Sequence, residues 1–388
     1  MSAIEKTDVI VIGAGIAGVG IAAQLGAGSR VVVLEQEAQP GYHTTGRSAA
    51  LFAECYGGST VRLLSRGSRA FFERPPDGFA AHPLLVPRGF LFIARDDQRA
   101  ALDALASLPD MRDGARRLTP DEACARMPLL RRDYVAEALV DEGASDIDVH
   151  ALLQGYVAML RRHGGQIRGN ARVTAIERHA QTWTVRTAAR IYEAPLLVNA
   201  AGAWADEIAA LAGVAPIGLR PLRRTAALVD VPAADGMARW PLTIDIDETF
   251  YFKPDAGRLL ISPGDETPSA PCDAMPDDID LAIAVERIEA ATTLDIRRMH
   301  SRWAGLRSFV ADRAPVAGFA ADADGFFWLA GQGGYGIQTA PALSRFAAAQ
   351  LLGRPLPSDL ADLGLRADAL APARLANAAA ETQERVKK

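Results

Sequence analysis

The run Asp8-Val9-Ile10-Val11-Ile12 passes without a break into Gly13-Ala14-Gly15-Ile16-Ala17-Gly18. A short, β-branched, continuously apolar run reads as a strand buried on both faces. The glycines then open a helix over residues 19–25, with Ile16, Ala22 and Leu25 able to face a sheet. Residues 31–34 form a second buried strand that ends at Glu35. Strand, crossover helix and parallel strand make a βαβ unit. A bare G-x-G-x-x-G is weak evidence, but this one lies between a predicted strand and a predicted helix, with an acidic residue seventeen positions after Gly18. Gly13 permits the tight turn, Gly15 lets the backbone approach a pyrophosphate, and Gly18 lets the helix pack on the strand. The pyrophosphate would meet free N–H groups at the helix terminus, and Glu35 would accept hydrogen bonds from an adenosine ribose. NAD and FAD both bind such units, so the motif does not choose between them.

A chain of 388 residues has room for two lobes. With 49% apolar and 23% charged residues it is neither a disordered chain, a collagen-like fibre nor a polytopic membrane protein. Its 42 Lys+Arg against 47 Asp+Glu leave a net charge of −5, which argues against nucleic acid as a partner. Cys55, Cys124 and Cys272 lie far apart with no metal-ligand spacing, so neither a disulfide framework nor a metal site is expected. The apolar residues near the start are far fewer than the ~20 of a membrane span, and no secretory signal is visible; the cytoplasm is the expected location.

The fold class expected is α/β. A Rossmann-like nucleotide domain assembled from residues 1–80, 145–220 and 300–370 would carry a second, substrate-binding domain from residues 81–144 and 221–299, built on an antiparallel β-sheet. Along the chain, a helix is expected at 151–162, a strand pair at 173–176 and 183–186, an apolar run at 90–93, and buried strands at 196–198 and 327–330. Antiparallel strands are expected at 225–231, 250–252 and 259–262. The acidic, proline-rich stretch 264–278 reads as a mobile loop, Leu281, Val285 and Ile288 as one helix face, and residues 371–388 as a tail, helical or frayed.

Four further stretches complete the pattern. They are Pro40-Gly41-Tyr42-His43-Thr44-Thr45-Gly46-Arg47-Ser48-Ala49-Ala50, then Leu197-Val198-Asn199-Ala200-Ala201-Gly202-Ala203-Trp204, then Trp303-Ala304-Gly305-Leu306-Arg307-Ser308-Phe309, and Gln332-Gly333-Gly334-Tyr335-Gly336-Ile337-Gln338-Thr339. In this order, over nearly the whole length, the chain resembles the D-amino-acid oxidase (DAO) superfamily of FAD-dependent oxidoreductases, and within it the bacterial D-arginine dehydrogenases. The resemblance implies a glutathione-reductase-like FAD domain and noncovalent FAD. It implies cofactor contacts from Gly13, Gly15, Ala17, Gly18, Glu35, Gln36, His43, Thr44, Thr45, Gly46, Arg47, Ser48, Ala49, Val173, Ala201, Gly202 and Trp204. The later contacts would come from Arg307, Gly333, Gly334, Tyr335, Gly336, Ile337, Gln338 and Thr339. The glycines at 331–336 would open a helix whose N-terminus stabilises charge on reduced flavin.

Oxidation at an amino acid's Cα is cofactor chemistry, so the protein must clamp the carboxylate and aim the carbon; no catalytic side-chain base is required if the amine binds neutral. Arg307 offers a planar fork for a carboxylate and matches the substrate arginine of the resembled family. Tyr251 matches its carboxylate-binding tyrosine, Tyr56 its lid tyrosine and Arg224 a more distant arginine, with Arg223 on the other face of the same strand. Gly334 would border the substrate. His82, His150, His163, His179 and His300 show no partner pattern and are assigned structural or surface roles.

The D-arginine dehydrogenases carry a glutamate just after the pair equivalent to Pro87-Arg88 and a histidine at the position of Leu51; here Gly89-Phe90 and Leu51 stand instead. An unpaired buried cation is strongly disfavoured, so D-arginine and D-lysine are expected to be poor substrates unless another acid, with Glu54 the candidate, takes over. The expectation is oxidative deamination of a neutral or apolar D-amino acid, with Phe90 and Leu51 lining the side-chain pocket. Oxidation of a secondary amine such as sarcosine or of a 2-hydroxy acid, and a flavin-binding protein without turnover, remain alternatives. By resemblance the electron acceptor would be a quinone or respiratory carrier, implying loose association with the inner membrane.

Overall fold

A computed structural model describes residues 4–112, 114–231 and 236–375. Val9–Ile12 is buried throughout and lies inside a six-stranded sheet ordered Gln166–Arg168, Val31–Leu34, Val9–Ile12, Leu196–Asn199, Phe326–Ala330, Val316–Phe319. The first five strands run parallel and the last is an antiparallel edge. Continuous apolar strands need cover on both faces, and successive side chains serve opposite faces. Val9, Val11 and Val33 pack with helices Ile16–Gln24, Val149–Arg162 and Gly336–Leu351. Ile10, Ile12 and Val32 pack with Trp183, Val185 and Tyr192 of a four-stranded sheet, ordered Ile4–Lys6, Ile191–Ala194, Thr182–Thr187, Val173–His179.

The second large sheet has nine strands. From Thr267–Pro268 it runs through Arg220–Val229, Arg258–Ser262, Tyr251–Asp255, Leu242–Asp245, Phe90–Ala94 and Glu137–Asp141 to Ala115–Leu118. Alternation divides it: Leu91 and Ile93 join Phe252 and Ile261 under helix Asp278–Ala291, whereas Phe90 and Phe92 join Ile244, Tyr251 and Leu260 on the opposite face. That opposite face looks onto the nucleotide-side elements. A small sheet of Leu51–Phe52, Ser145–Ile147 and Leu85–Pro87 lies between the two bodies.

Two features go beyond the sequence reading. Met299–Phe309 pairs along Arg220–Val229, from Arg220 opposite Phe309 to Val229 opposite Met299, so the expected boundary at residue 300 falls inside a strand of the substrate sheet. The stretch 264–278, expected to be mobile, is tied down: Asp265 accepts hydrogen bonds from the Thr225 N–H (2.7 Å) and hydroxyl (2.9 Å), and Glu266 pairs with Arg313 at 2.7 Å. Helix Asp278–Ala291 buries Leu281 and Ile288 as expected, with Ala284 taking the place beside them and Val285 half-buried. Of the tail, residues 376–388 lie outside the described residues.

Candidate functional site

The glycine turn is built for close approach. Gly13 has φ +101°, and a Cβ there would lie 2.4 Å from the Ala200 carbonyl oxygen; one on Gly18 would lie 1.9 Å from the Gly13 carbonyl oxygen. Gly15 caps helix Ile16–Gln24 in extended conformation, and the Ile16 N–H donates to Thr45 Oγ1 at 3.0 Å. Buried Glu35 is fixed from both sides, its Oε2 accepting from the Ala14 N–H at 2.7 Å and its Oε1 from the Glu37 N–H at 3.0 Å. His43 stands beside it, Nε2 at 3.0 Å from Glu37 Oε1, its ring 4.6 Å from the Trp204 indole. This places His43 at the nucleotide end, away from any site of acid–base chemistry.

From this turn a cleft runs across the molecule in two lobes. They are continuous, sharing Gly15, Thr44, Thr45, Ala200, Gly202 and Ala203 as walls. Glu35, Gln36, His43, Ala201, Trp204 and Val173 line the first lobe, with Gly13 at its turn. Ala17, Arg47, Ser48, Ala49, Gly333, Gly334, Gly336, Ile337 and Gln338 line the second. An elongated, acceptor-rich dinucleotide suits these walls: a Cβ on Gly202 would meet nothing within 4 Å, and buried Gln332 Nε2 and Ser308 Oγ of the second lobe lack hydrogen-bond partners. The first N–H groups of helix Gly336–Leu351 add donors with no partner inside the helix. Gly18, Gly46, Tyr335 and Thr339 do not line the cleft. Gly18 serves helix packing, Thr339 Oγ1 donates to the Tyr335 carbonyl at 2.8 Å, and Tyr335 stands behind the glycines with its ring 5.3 Å from that of Tyr56.

The far end of the second lobe gathers Arg307, Tyr251, Tyr56, Arg224, Phe90, Leu51 and Gly334. Alternation along Met299–Phe309 puts Trp303, Gly305 and Arg307 on the cleft face. Arg307 has neither an ion pair nor a hydrogen bond from its guanidinium among the described residues. Burial acts to lower its pKa, but the hydroxyls of Tyr251, Tyr56 and Tyr335 and the Glu248 carboxylate outweigh burial and raise it, so the charge is secure. Arg224 is already engaged, donating from Nε to the Asp265 carbonyl at 2.8 Å and lying 3.4 Å from Glu266. Arg223 points to the other face, as alternation requires, and pairs with Asp280 at 2.9 Å. Tyr56 donates its hydroxyl to Glu248 at 2.9 Å; burial first, then the Glu248 charge, pushes its pKa well above the ordinary phenol value. No His, Asp, Glu or Lys is among the residues lining this lobe.

The acid named from sequence does not serve the pocket. Glu54 is held by Arg69 at 2.7 Å and does not line the cleft. The acid near the pocket is Glu248, which the sequence reading missed, as it missed Gln332 and the contact of Trp303 Nε1 with the Arg47 carbonyl at 3.1 Å. Trp303 and Gln332 sat inside quoted motifs; nothing local marks Glu248.

The profile of the FAD dependent oxidoreductase family (DAO) matches residues 8–350. The chain belongs to that family. As a DAO protein it is FAD-dependent. It is 23% identical over 396 residues to mitochondrial dimethylglycine dehydrogenase of Mus musculus, covering 92% of this chain and 44% of the mouse protein, so it spans less than half that relative's length. Among solved structures it resembles L-proline dehydrogenase from P. horikoshii (TM-score 0.79, 23% identity, 92% of this chain and 96% of that one). It also resembles glycine oxidase from Geobacillus kaustophilus (TM-score 0.78, 21% identity, 94% and 99%). These relatives are named for a range of amines and amino acids; the likeness to D-arginine dehydrogenase seen in the motifs is not singled out among them. The described residues include no helix long and apolar enough to cross a membrane.

Proposed function

We propose that this protein oxidises the carbon next to a carboxylate in an amine-bearing acid. The observation that carries the reading is the unpaired Arg307 guanidinium at the end of a cleft whose remaining walls are largely apolar. When bound, FAD supplies a two-electron acceptor for the hydride leaving that carbon. Arg307 holds the carboxylate through a planar fork, with Tyr251 beside it as second donor and Tyr56 over the mouth. The Tyr56 hydroxyl stays protonated, and the lobe offers no basic side chain, so the substrate amine must react in its neutral form. The imine released is hydrolysed in water to a 2-oxo acid and ammonia, or to the amine when the nitrogen is substituted.

Within that class we favour a D-amino acid with a neutral or apolar side chain. Phe90, Leu51, Leu242 and Ile244 make the walls, and no acid lines the lobe to pair with a guanidinium at depth. A secondary amine is the second reading, favoured by the likeness to proteins named for dimethylglycine and L-proline. Attachment of FAD is taken to be noncovalent: none of the three cysteines lines the cleft. A quinone or respiratory carrier as acceptor, with a cytoplasmic location at the inner membrane surface, is part of the same reading. Anaerobic bleaching of the flavin with D-alanine, D-phenylalanine, D-arginine, sarcosine and 2-hydroxyglutarate, followed by timing of reoxidation in air, tests donor and acceptor together. Fastest bleaching by D-arginine overturns the preference, and bleaching by none of them overturns turnover itself.

A further inference from the structure

Near the mouth of the second lobe two opposite charges lack ionic partners: the Arg307 guanidinium inside and the Glu248 carboxylate outside. The other charges nearby are already matched, since Glu266 holds Arg313 at 2.7 Å and Arg224 at 3.4 Å. Glu248 accepts a single hydrogen bond, from the neutral Tyr56 hydroxyl at 2.9 Å, and has no ion pair among the described residues. Its backbone is committed to this place. It is a non-glycine residue at φ +58°, and a Cβ on Gly264 would lie 2.1 Å from its carbonyl oxygen. The Tyr56 ring that reaches Glu248 is itself held edge-on by two others, Phe90 at 5.8 Å and 80° and Tyr335 at 5.3 Å and 66°. Aromatic faces beside a carboxylate favour an organic cation.

We infer that Glu248 is the specificity-determining group that recognises the substrate's positive nitrogen, so that the mouth selects zwitterions over plain carboxylates and 2-hydroxy acids. The inference rests on the carboxylate site proposed above and narrows its substrate class. The bound ammonium lies in the field of the Glu248 carboxylate beside Tyr56 while the substrate's own carboxylate meets Arg307, and it yields a proton to water before the hydride leaves, as the neutral-amine step above requires. A 2-hydroxy acid brings only the charge that Glu248 repels. Glu248 is solvent-exposed, so the contribution is modest and screened by salt.

The test uses the FAD-loaded protein and two ligands of the same shape that it cannot oxidise at nitrogen-bearing carbon in the same way: N,N,N-trimethylglycine, a zwitterion, and 3,3-dimethylbutanoate, which has carbon in place of the charged nitrogen. Binding is read from perturbation of the flavin absorbance and from the shift in Tm. In wild type the zwitterion is expected to bind more tightly, and in Glu248→Gln the ratio of the two dissociation constants should fall roughly three- to tenfold. Glu248→Asp, which keeps the charge, should keep most of the ratio, as should Tyr56→Phe, which removes only the hydroxyl. An unchanged ratio in Glu248→Gln, or the same fall in Tyr56→Phe, overturns the role of Glu248 while leaving the carboxylate site standing. If neither ligand binds wild type, or both bind Arg307→Met equally well, the carboxylate site fails and this inference with it.

Discussion

Arg307 and Gly334 behave as a pair. A Cβ on Gly334 would lie 2.9 Å from the guanidinium carbon of Arg307, so the glycine leaves the fork free to face the cleft. Because the obstructing atoms are the far end of a flexible side chain, Gly334→Ala should fold and retain FAD yet displace the fork, weakening carboxylate substrates by roughly tenfold. Arg307→Lys keeps the charge but loses the planar pair of donors, and kcat/KM should drop roughly a hundredfold. Stopped-flow flavin reduction separates the two causes: both variants should raise the apparent dissociation constant, with Tm within a few degrees of wild type. At this scale sequence was a partial guide. Arg307 sits in a short marked motif and Tyr251 and Tyr56 came from the family resemblance, whereas Glu248 gains its place from a left-handed turn residue that no propensity favours. Glu54 was misleading because Arg69, fifteen positions away on a helix, takes its carboxylate.

Among the elements, the nucleotide helix and helix Val149–Arg162 show how much local chemistry decides. In Ile16–Gln24 the decisive atom is absent: Gly18→Ala would place a methyl 1.9 Å from a backbone oxygen that cannot turn aside, so the helix must move off the strand. The expected result is protein purified with little or no FAD, read from the ratio of absorbance at 450 and 280 nm. Helix Val149–Arg162 is capped by Asp148, whose Oδ1 accepts from the Ala151 N–H at 2.8 Å while Oδ2 lies 3.0 Å from His82. Burial acts to raise this carboxyl's pKa, but the Ala151 N–H and His82 outweigh it and the pKa is lowered. The ionised cap therefore stabilises the fold above the unfolded value of about 3.9 and loses that contribution as pH falls through the lower folded value. Asp148→Ala should cost about 1 kcal/mol at pH 7 in urea melts. Asp148→Asn, which caps without titrating, should close the gap to wild type as the pH is taken down from about 4. These two helices were legible because glycines and apolar spacing are local signals, although the Asp148 cap was not read. The partner of Met299–Phe309 was not, since strand pairing is settled by contacts some eighty residues distant in sequence.

Across the whole molecule the cleft depends on how the two sheets are joined, and Arg47 is one of the fastenings, beside the Thr44 hydroxyl that donates to the Leu306 carbonyl at 2.8 Å. Arg47 ends the nucleotide-side segment Thr44–Arg47, yet its Nη1 donates to the carbonyls of Ala274 and Ala304, both at 2.9 Å, and its Nη2 pairs with Asp273. Its own carbonyl accepts from Trp303 Nε1 at 3.1 Å. One side chain thus ties the cofactor cleft to the strand carrying Arg307 and to the stretch 264–278, which its composition alone marked as mobile. Tyr42 adds a hydroxyl to Asp273 at 3.2 Å. Removing the guanidinium in Arg47→Ala leaves the carbonyls of two buried alanines without that donor, while the backbone contact to Trp303 persists. The sheets themselves should hold, so the global unfolding midpoint should move little. The stretch 264–278 should open more often, giving faster amide hydrogen exchange there and proteolytic nicking within it. Because Arg47 also lines the second lobe, FAD should dissociate faster on gel filtration. Asp273→Asn should loosen the stretch without that loss of FAD, since the Ala274 and Ala304 carbonyls still hold the guanidinium in place. Equal FAD loss in both variants would mean that the cofactor is retained through closure of 264–278 rather than through Arg47 itself.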